Sequence, residues 1–389
     1  MESIWARFDF DAAIESLIFN INDKVIGTKK GYLLFSFELP FDIDFHEIKI
    51  KRTVRVNQIS RFHSFICEVT IPNWILWQQD QFLNVLSAAL TMCFSKLIRP
   101  AFDYDMYPIE TADQQRKVGI QLIVEMHAGH ITPEELAIGK ERFISLINYL
   151  NTIDTKDYRI IMQSIRLIYL NFHARILDIN LAYTLLVGSI ENLASSYINR
   201  KDPSIKKESL ELSDDDMKIK ELCEQNNLSS WFNENILHHK KLKAKFVEFI
   251  IRYAPFPKWF EIKERYPEPT KPPVGYEHLF DKARFTKEYI KASRIQQGNY
   301  HPDELNIEDI RKLLGDTYNH RSRFIHNGIG LSLEKESSNR FFDWITDFKK
   351  NNRFLTINYS CLLLISKVVI FELILELKSN QKTVAAISK

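Results

Sequence analysis

Cysteine is sparse in this chain. There are four in 389 residues, and Cys67, Cys93, Cys223 and Cys361 are too scattered for a C-x-x-C pair or a metal-ligand spacing. That points to reduced, buried thiols rather than a disulfide framework. An excess of one charge is missing too. The formal net charge is +2, so any surface for nucleic acid must be local. Uninterrupted apolar runs are lacking. The most apolar segments, 82–98 and 361–377, are broken by Asn84, Ser87, Thr91 and Lys96, and by Lys367, Glu372 and Glu376. Neither is expected to span a membrane. The first residues show no basic start followed by an apolar run, so no signal peptide and a cytoplasmic location are expected. No glycine-rich phosphate loop, nucleophile elbow or cluster of metal ligands occurs, and enzyme classes built on them find no support. No cofactor and no metal site are expected.

What is present exceeds one ordinary domain, and the length predicts two. Residues 1–130 read as a strand-rich α+β domain. Leu33, Phe35, Phe37 and Leu39 alternate with more polar neighbours, as do Phe65, Cys67, Val69 and Ile71, and Val118, Ile120, Leu122, Val124 and Met126. The stretch 81–98, apolar almost all round, predicts a buried helix on the sheet. Over 48–56 a period of two places Lys49, Lys51, Thr53 and Arg55 on one face, with Ile48, Ile50, Val54 and Val56 on the other. That basic stripe suits phosphate, or is a solvated edge protected by its charges.

Residues 131–389 read as all-α. Thr132-Pro133-Glu134-Glu135 starts one helix, and a second covers about 157–172. A third spans about 177–198. Between Asp178 and Arg200 its only charge is Glu191, on a face shared with Thr184, Gly188, Asn192 and Ser195. A carboxylate there needs a partner, and a guanidinium is the natural one. The charged stretch at about 199–237 reads as a mobile, partly helical insertion. Then come Lys240, Lys241, Lys243 and Lys245, the densest positive cluster, read as an RNA-facing surface or as a solvated helix start. His238 and His239 beside it diverge by roughly 100° on a helix and make no metal site. A proline-rich span over 255–273 reads as a rigid loop, and about 276–295 as a basic helix. A loop is expected up to about 352, followed by a long helix over 354–378 that is central to a bundle or half of a dimer interface.

The most informative stretch is Tyr318-Asn-His-Arg321-Ser322-Arg323-Phe-Ile-His326-Asn327-Gly328. A helix is predicted to enter it, with Asn306 as cap, Glu308 and Asp309 in the first turn, and Ile307, Ile310, Leu313, Leu314 and Tyr318 as the apolar stripe. Asn327-Gly328 ends it. Arg321 offers a fork of donors matched to phosphate oxygens, and His326 exchanges a proton near neutral pH. Together they suit cleavage of an RNA phosphodiester by its own 2′-hydroxyl. Spacing alone leaves open the plainer reading of a helix end with cations that complement its dipole.

Tyr318-x-x-Arg321-Ser322-x-x-x-His326-x-Gly328 resembles the R-x4-6-H motif of HEPN domains, in particular the Apea-like HEPN subgroup. The resemblance implies a helical HEPN-like core over about 156–380, interrupted by the charged insertion. It also implies a homodimer through the HEPN helices and a metal-independent endoribonuclease acting on single-stranded RNA in anti-phage defence or as a toxin. His326 would be the general acid/base and Arg321 the phosphate clamp. Glu191 and Ser322 would orient them, with Tyr318, Arg323 and Asn327 in support. The basic residues Lys49, Lys51 and Arg55 and the four lysines of the cluster are further RNA-binding candidates. The N-terminal domain is expected to sense an activating ligand or protein. HEPN-like folds without activity also exist, so a non-catalytic helical dimer that binds nucleic acid, nucleotide or protein is the alternative.

Overall fold

The structure, a computed structural model, describes residues 27–45, 48–59, 62–72, 79–101, 131–198, 212, 214–256, 259, 305–327, 342–347 and 352–387. The fold is α+β, with antiparallel strands before residue 101 and mostly helices after it. The chain divides into two compact units, residues 1–178 with 373–389, and residues 179–372. The helices over Pro133–Leu150 and Thr155–Leu177, expected to belong with the helical region from 131 onward, fall in the same unit as the sheet.

In the first unit β1 (Thr28–Phe35), β2 (Ile43–Phe45), β3 (Ile48–Ile50), β4 (Val54–Ile59), β5 (Phe62–Pro72) and β6 (Ile98–Pro100) form one sheet. β5 is the centre: β1 pairs along one side of it, and β3 and β4 follow each other along the other. Leu33, Leu34 and Phe35 are all buried, because both faces of β1 are covered there and strict alternation is no longer required. α1 (Gln79–Phe94) is buried from Gln81 to Phe94, as its all-round apolar character predicts. Gly31 of β1 admits it closely: a Cβ at that position would stand 2.7 Å from Leu83 Cδ1. Thr91 Oγ1 donates to Ile98 O at 3.1 Å and accepts from Ile98 N at 3.0 Å, tying α1 to β6.

α2 (Pro133–Leu150) opens on the expected signal, with Thr132 and Glu135 forming a reciprocal capping box. α3 (Thr155–Leu177) is capped by Asp154 and runs a turn longer than its apolar period suggested. Both pack on α1. The series at 118–126 lies outside the described residues.

The basic strand expected over 48–56 is two strands. β3 stops at Ile50, and Thr53 then pairs with Leu39 through both its backbone N–H and its hydroxyl. β4 resumes at Val54 with a register shift between Arg55 and Asn57. Val54, expected to face inward, is 63% exposed.

The second unit contains α4 (Ile179–Tyr197), α5 (Asp214–Gln225), α6 (Ser229–Phe232), a π-helical turn (Asn233–Leu237), α7 (His238–Tyr253) and α8 (Ile307–Asn327). The described part of the charged stretch is therefore mostly helical, over Asp214–Gln225 and again from Ser229 to Leu237. Residues 257–258 and 260–304, which hold most of the proline-rich span and the expected basic helix, lie outside the described residues. α4, α7 and α8 pack against one another.

β7 (Phe342–Asp347) and β8 (Asn352–Ile357) pair antiparallel, and the hairpin lies on α8. This corrects two expectations, a loop up to 352 and a helix from Phe354. Residues 354–357 are strand, and α9 (Tyr359–Ile387) begins at Tyr359. Asn358 Oδ1 caps it by accepting from Cys361 N at 2.8 Å. α9 starts in the second unit and finishes in the first, and its buried positions from Cys361 to Ile374 cover most of its girth. All four cysteines are buried and unbridged.

Candidate functional site

α8 follows its predicted pattern. Asn306 Oδ1 accepts from Glu308 N and Asp309 N at 3.0 and 2.9 Å, a cap worth about 1 kcal/mol. Ile310, Leu313, Leu314, Thr317, Tyr318 and His320 are buried along one side. Of the expected stripe only Ile307, in the first turn, is exposed.

The stripe fixes Tyr318, and Tyr318 leads to Glu191. Its ring packs on Phe246 of α7 with centroids 5.4 Å apart, and its hydroxyl donates to Glu191 Oε1 at 2.9 Å. The other oxygen, Oε2, accepts from Arg321 Nη2 at 2.9 Å. Arg321 Cζ also stands 6.0 Å from the Tyr318 ring centroid. One carboxylate of α4 thus holds two residues of α8 that lie one turn apart. Burial first, and then the Glu191 charge and hydrogen bond, push the Tyr318 phenol above its ordinary pKa. It remains a donor at neutral pH.

The pair is not sealed. The side chains of Arg321 and Glu191 are 22% and 14% exposed. Arg321 Nε is buried with no hydrogen-bond partner among the described residues. A guanidinium carries five N–H donors in a rigid fork, so the contact with Glu191 aims the group and leaves donors for an anion.

Ser322 is half-buried on the next position of α8. The side chains of Arg323, His326 and Asn327 lie outside the described residues. The backbone remains helical through Asn327, so positions 321 and 326 sit roughly 140° apart around the axis. His320, adjacent to Arg321, is buried and meets the same helix α4 at Tyr183, with ring centroids 6.0 Å apart.

The lysine cluster is not one surface. Lys240 pairs with Asp216 at 2.5 Å. Lys243 lies along Gly315, where a Cβ would stand 2.8 Å from its Cε. Burial lowers the pKa of that ammonium, and Asp316 partly offsets the effect. Lys245, 9% exposed, donates to Ser195 O at 3.1 Å. Lys241 is half-buried on the same helix. Two further charges in the same region, Glu248 of α7 and Arg311 of α8, form a bidentate ion pair. The signal for Lys245 and Glu248 is their place in an apolar stretch, Ala244-Lys245-Phe246-Val247-Glu248-Phe249, where a charge must find a partner.

In the first unit, Lys49 pairs with Asp42 at 2.9 Å and Lys51 with Glu68 at 2.6 Å. Lys30 reaches the same Glu68 at 3.1 Å. Arg55 is exposed on β4. The stripe is therefore largely compensated by neighbouring acids.

Among the described residues, no group of three or more His, Cys, Asp or Glu side chains could hold a metal ion, and no helix is long and apolar enough to cross a membrane. Compared with protein-family models, curated proteins and solved structures, the chain gives no match in any of the three.

Proposed function

We propose that this chain is a HEPN-type endoribonuclease that cuts single-stranded RNA without a metal, as an effector of anti-phage defence or a toxin in the cytoplasm. The observation that carries the reading is the Glu191–Arg321 ion pair, a part-exposed guanidinium braced by a carboxylate from another helix, five positions before His326.

In this reading His326 removes the proton of a ribose 2′-hydroxyl. The 2′-oxygen attacks phosphorus, the bond to the 5′-oxygen breaks, and that oxygen regains a proton. The products are a 2′,3′-cyclic phosphate and a 5′-hydroxyl end. Arg321 stabilises the charge that builds on the phosphoryl oxygens. Glu191 and Tyr318 aim Arg321, Ser322 supports it, and Arg323 and Asn327 flank the acid/base. Unpaired RNA is the substrate because its backbone can align the 2′-oxygen behind the scissile bond. A homodimer would bring two motifs into one cleft, and the first unit would receive the activating ligand or protein.

The alternative is a non-catalytic HEPN-type dimer that binds nucleic acid, nucleotide or protein. One observation favours it: the unbroken helix through Asn327 sends positions 321 and 326 in different directions. The test incubates the purified full chain with mixed RNAs in EDTA, beside His326→Ala, and analyses the fragment ends. Cyclic phosphate termini made only by the wild type support the nuclease. Equal RNA integrity, or cleavage strictly dependent on Mg²⁺, overturns it.

A further inference from the structure

α4 carries Glu191 six residues before its C-terminal residue Tyr197, and the last carbonyls of a helix have no intrahelical partner. The helix has no basic residue of its own in its last turn. Lys245 of α7 supplies one: its ammonium donates to Ser195 O at 3.1 Å, one turn beyond Glu191. The position is favourable twice over, because the carbonyl gains a donor and the negative end of the helix dipole gains a cation. The next residue, Phe246, is fully buried and packs on the Tyr318 ring. Adjacent helical positions diverge by roughly 100°, so two neighbours on α7 can reach two different helices. One secures the end of α4 that presents Glu191, and the other secures the tyrosine that bonds the same carboxylate.

We infer that Lys245 is a positioning residue for the Glu191–Tyr318–Arg321 site, acting with Phe246 as a bracket that sets where Glu191 meets Arg321. The inference rests on the nuclease reading for its consequence in catalysis, but not for its structural content. It also separates Lys245 from direct contact with RNA, since a 9% exposed ammonium committed to a helix end has little to offer a phosphate.

The experiment uses full-length protein in three forms: wild type, Lys245→Met, which keeps the stem without the charge, and Lys245→Arg, which restores a donor. Hydrogen exchange is followed by NMR at the Nη–H groups of Arg321 and of Arg311, which make the ion pairs, each assigned by its loss in the Arg→Lys variant. Arg311 is the internal control, because its pair with Glu248 spans α7 and α8 without Lys245. In Lys245→Met, exchange at Arg321 is expected to rise about tenfold, the scale of one hydrogen bond to a charged group. Arg311 should be unaffected, and Lys245→Arg should return Arg321 to the wild-type rate.

In RNA cleavage, kcat should fall by roughly the same factor with KM unchanged. Unaltered exchange at Arg321, equal loss of protection at both arginines, or no recovery in Lys245→Arg overturns the inference. So does a rise in KM alone, which would mark Lys245 as an RNA contact. If the wild type cuts no RNA, the nuclease reading fails, and the exchange measurement by itself decides the positioning role.

Discussion

Glu191 Oε2 and Arg321 Nη2 stand 2.9 Å apart, across two helices that the chain reaches far apart in sequence. The carboxylate is shared with the Tyr318 hydroxyl, so the acceptor that the guanidinium meets is itself held in place by a second bond. Directional control of this kind matters for a phosphate clamp, because a misplacement of about 1 Å at a reacting centre costs on the order of a hundredfold in rate.

On the proposed nuclease reading, Glu191→Gln is therefore expected to lower kcat for RNA cleavage by about a hundredfold. It should also lower stability by about 1–2 kcal/mol, because it leaves a half-buried guanidinium without its counter-charge. The urea midpoint of unfolding, at constant slope, reads the second effect independently of the first.

Tyr318 makes the stability depend on alkaline pH, with a definite sign. Its folded pKa is raised above the unfolded value, with burial the largest cause, so the stability it contributes is intact below pH ~10 and falls as pH rises above that. Tyr318→Phe keeps the packing on Phe246 and removes the titration. The variant should lose about 1 kcal/mol at pH 7 and show a shallower decline in stability above pH ~10 than the wild type.

At the acid end the first unit has its own group. Glu68 is held below its ordinary pKa chiefly by its bond to Lys51, with Lys30 adding to it. The stability it contributes is present above pH ~4.3 and is lost as pH falls through the depressed value. The lysines are well exposed, so the effect is small, about 0.5–1 kcal/mol. Glu68→Gln should flatten the acid limb of the unfolding curve by that amount, and on the proposed nuclease reading leave RNA cleavage at neutral pH unchanged.

Two helical glycines should respond oppositely to alanine. At Gly139 a Cβ would stand 2.4 Å from the Phe94 ring, which cannot yield inside a packed core, and Gly139→Ala should cost about 1–3 kcal/mol. At Gly315 the obstacle is Cε of Lys243 at 2.8 Å, the far end of a flexible chain. Helix propensity favours alanine there by up to about 1 kcal/mol, so Gly315→Ala should be neutral or stabilising. Parallel thermal melts compare the two.

The sequence revealed those parts of the site that depend on local rules. Asn306 caps α8 and the apolar period turns Tyr318 inward, both from residues within a few turns. Glu191 was legible because it is a lone charge on a helix that otherwise avoids charge, and such a group needs a partner. The lysines were not. Lys245 reads as part of a basic cluster, and only the packing of α7 on α4 shows it spent on Ser195 O. The β7–β8 hairpin was hidden for another reason. Phe354-Leu355-Thr356-Ile357 suits a strand or the start of a helix equally well, since a short apolar run has no diagnostic period. The basic stripe over 48–56 failed at the break after Ile50, where pairing with Leu39 overrides alternation.

The backbone of Ile357 is held on both sides, its carbonyl accepting from the Tyr183 hydroxyl at 2.8 Å and its N–H donating to Thr317 Oγ1 at 3.3 Å. Tyr183 belongs to the helix that carries Glu191, and Thr317 immediately precedes Tyr318. The end of the hairpin is thereby tied at one residue to both helices whose side chains form the Glu191–Arg321 pair, so anchoring the hairpin and seating the ion pair are one structural problem.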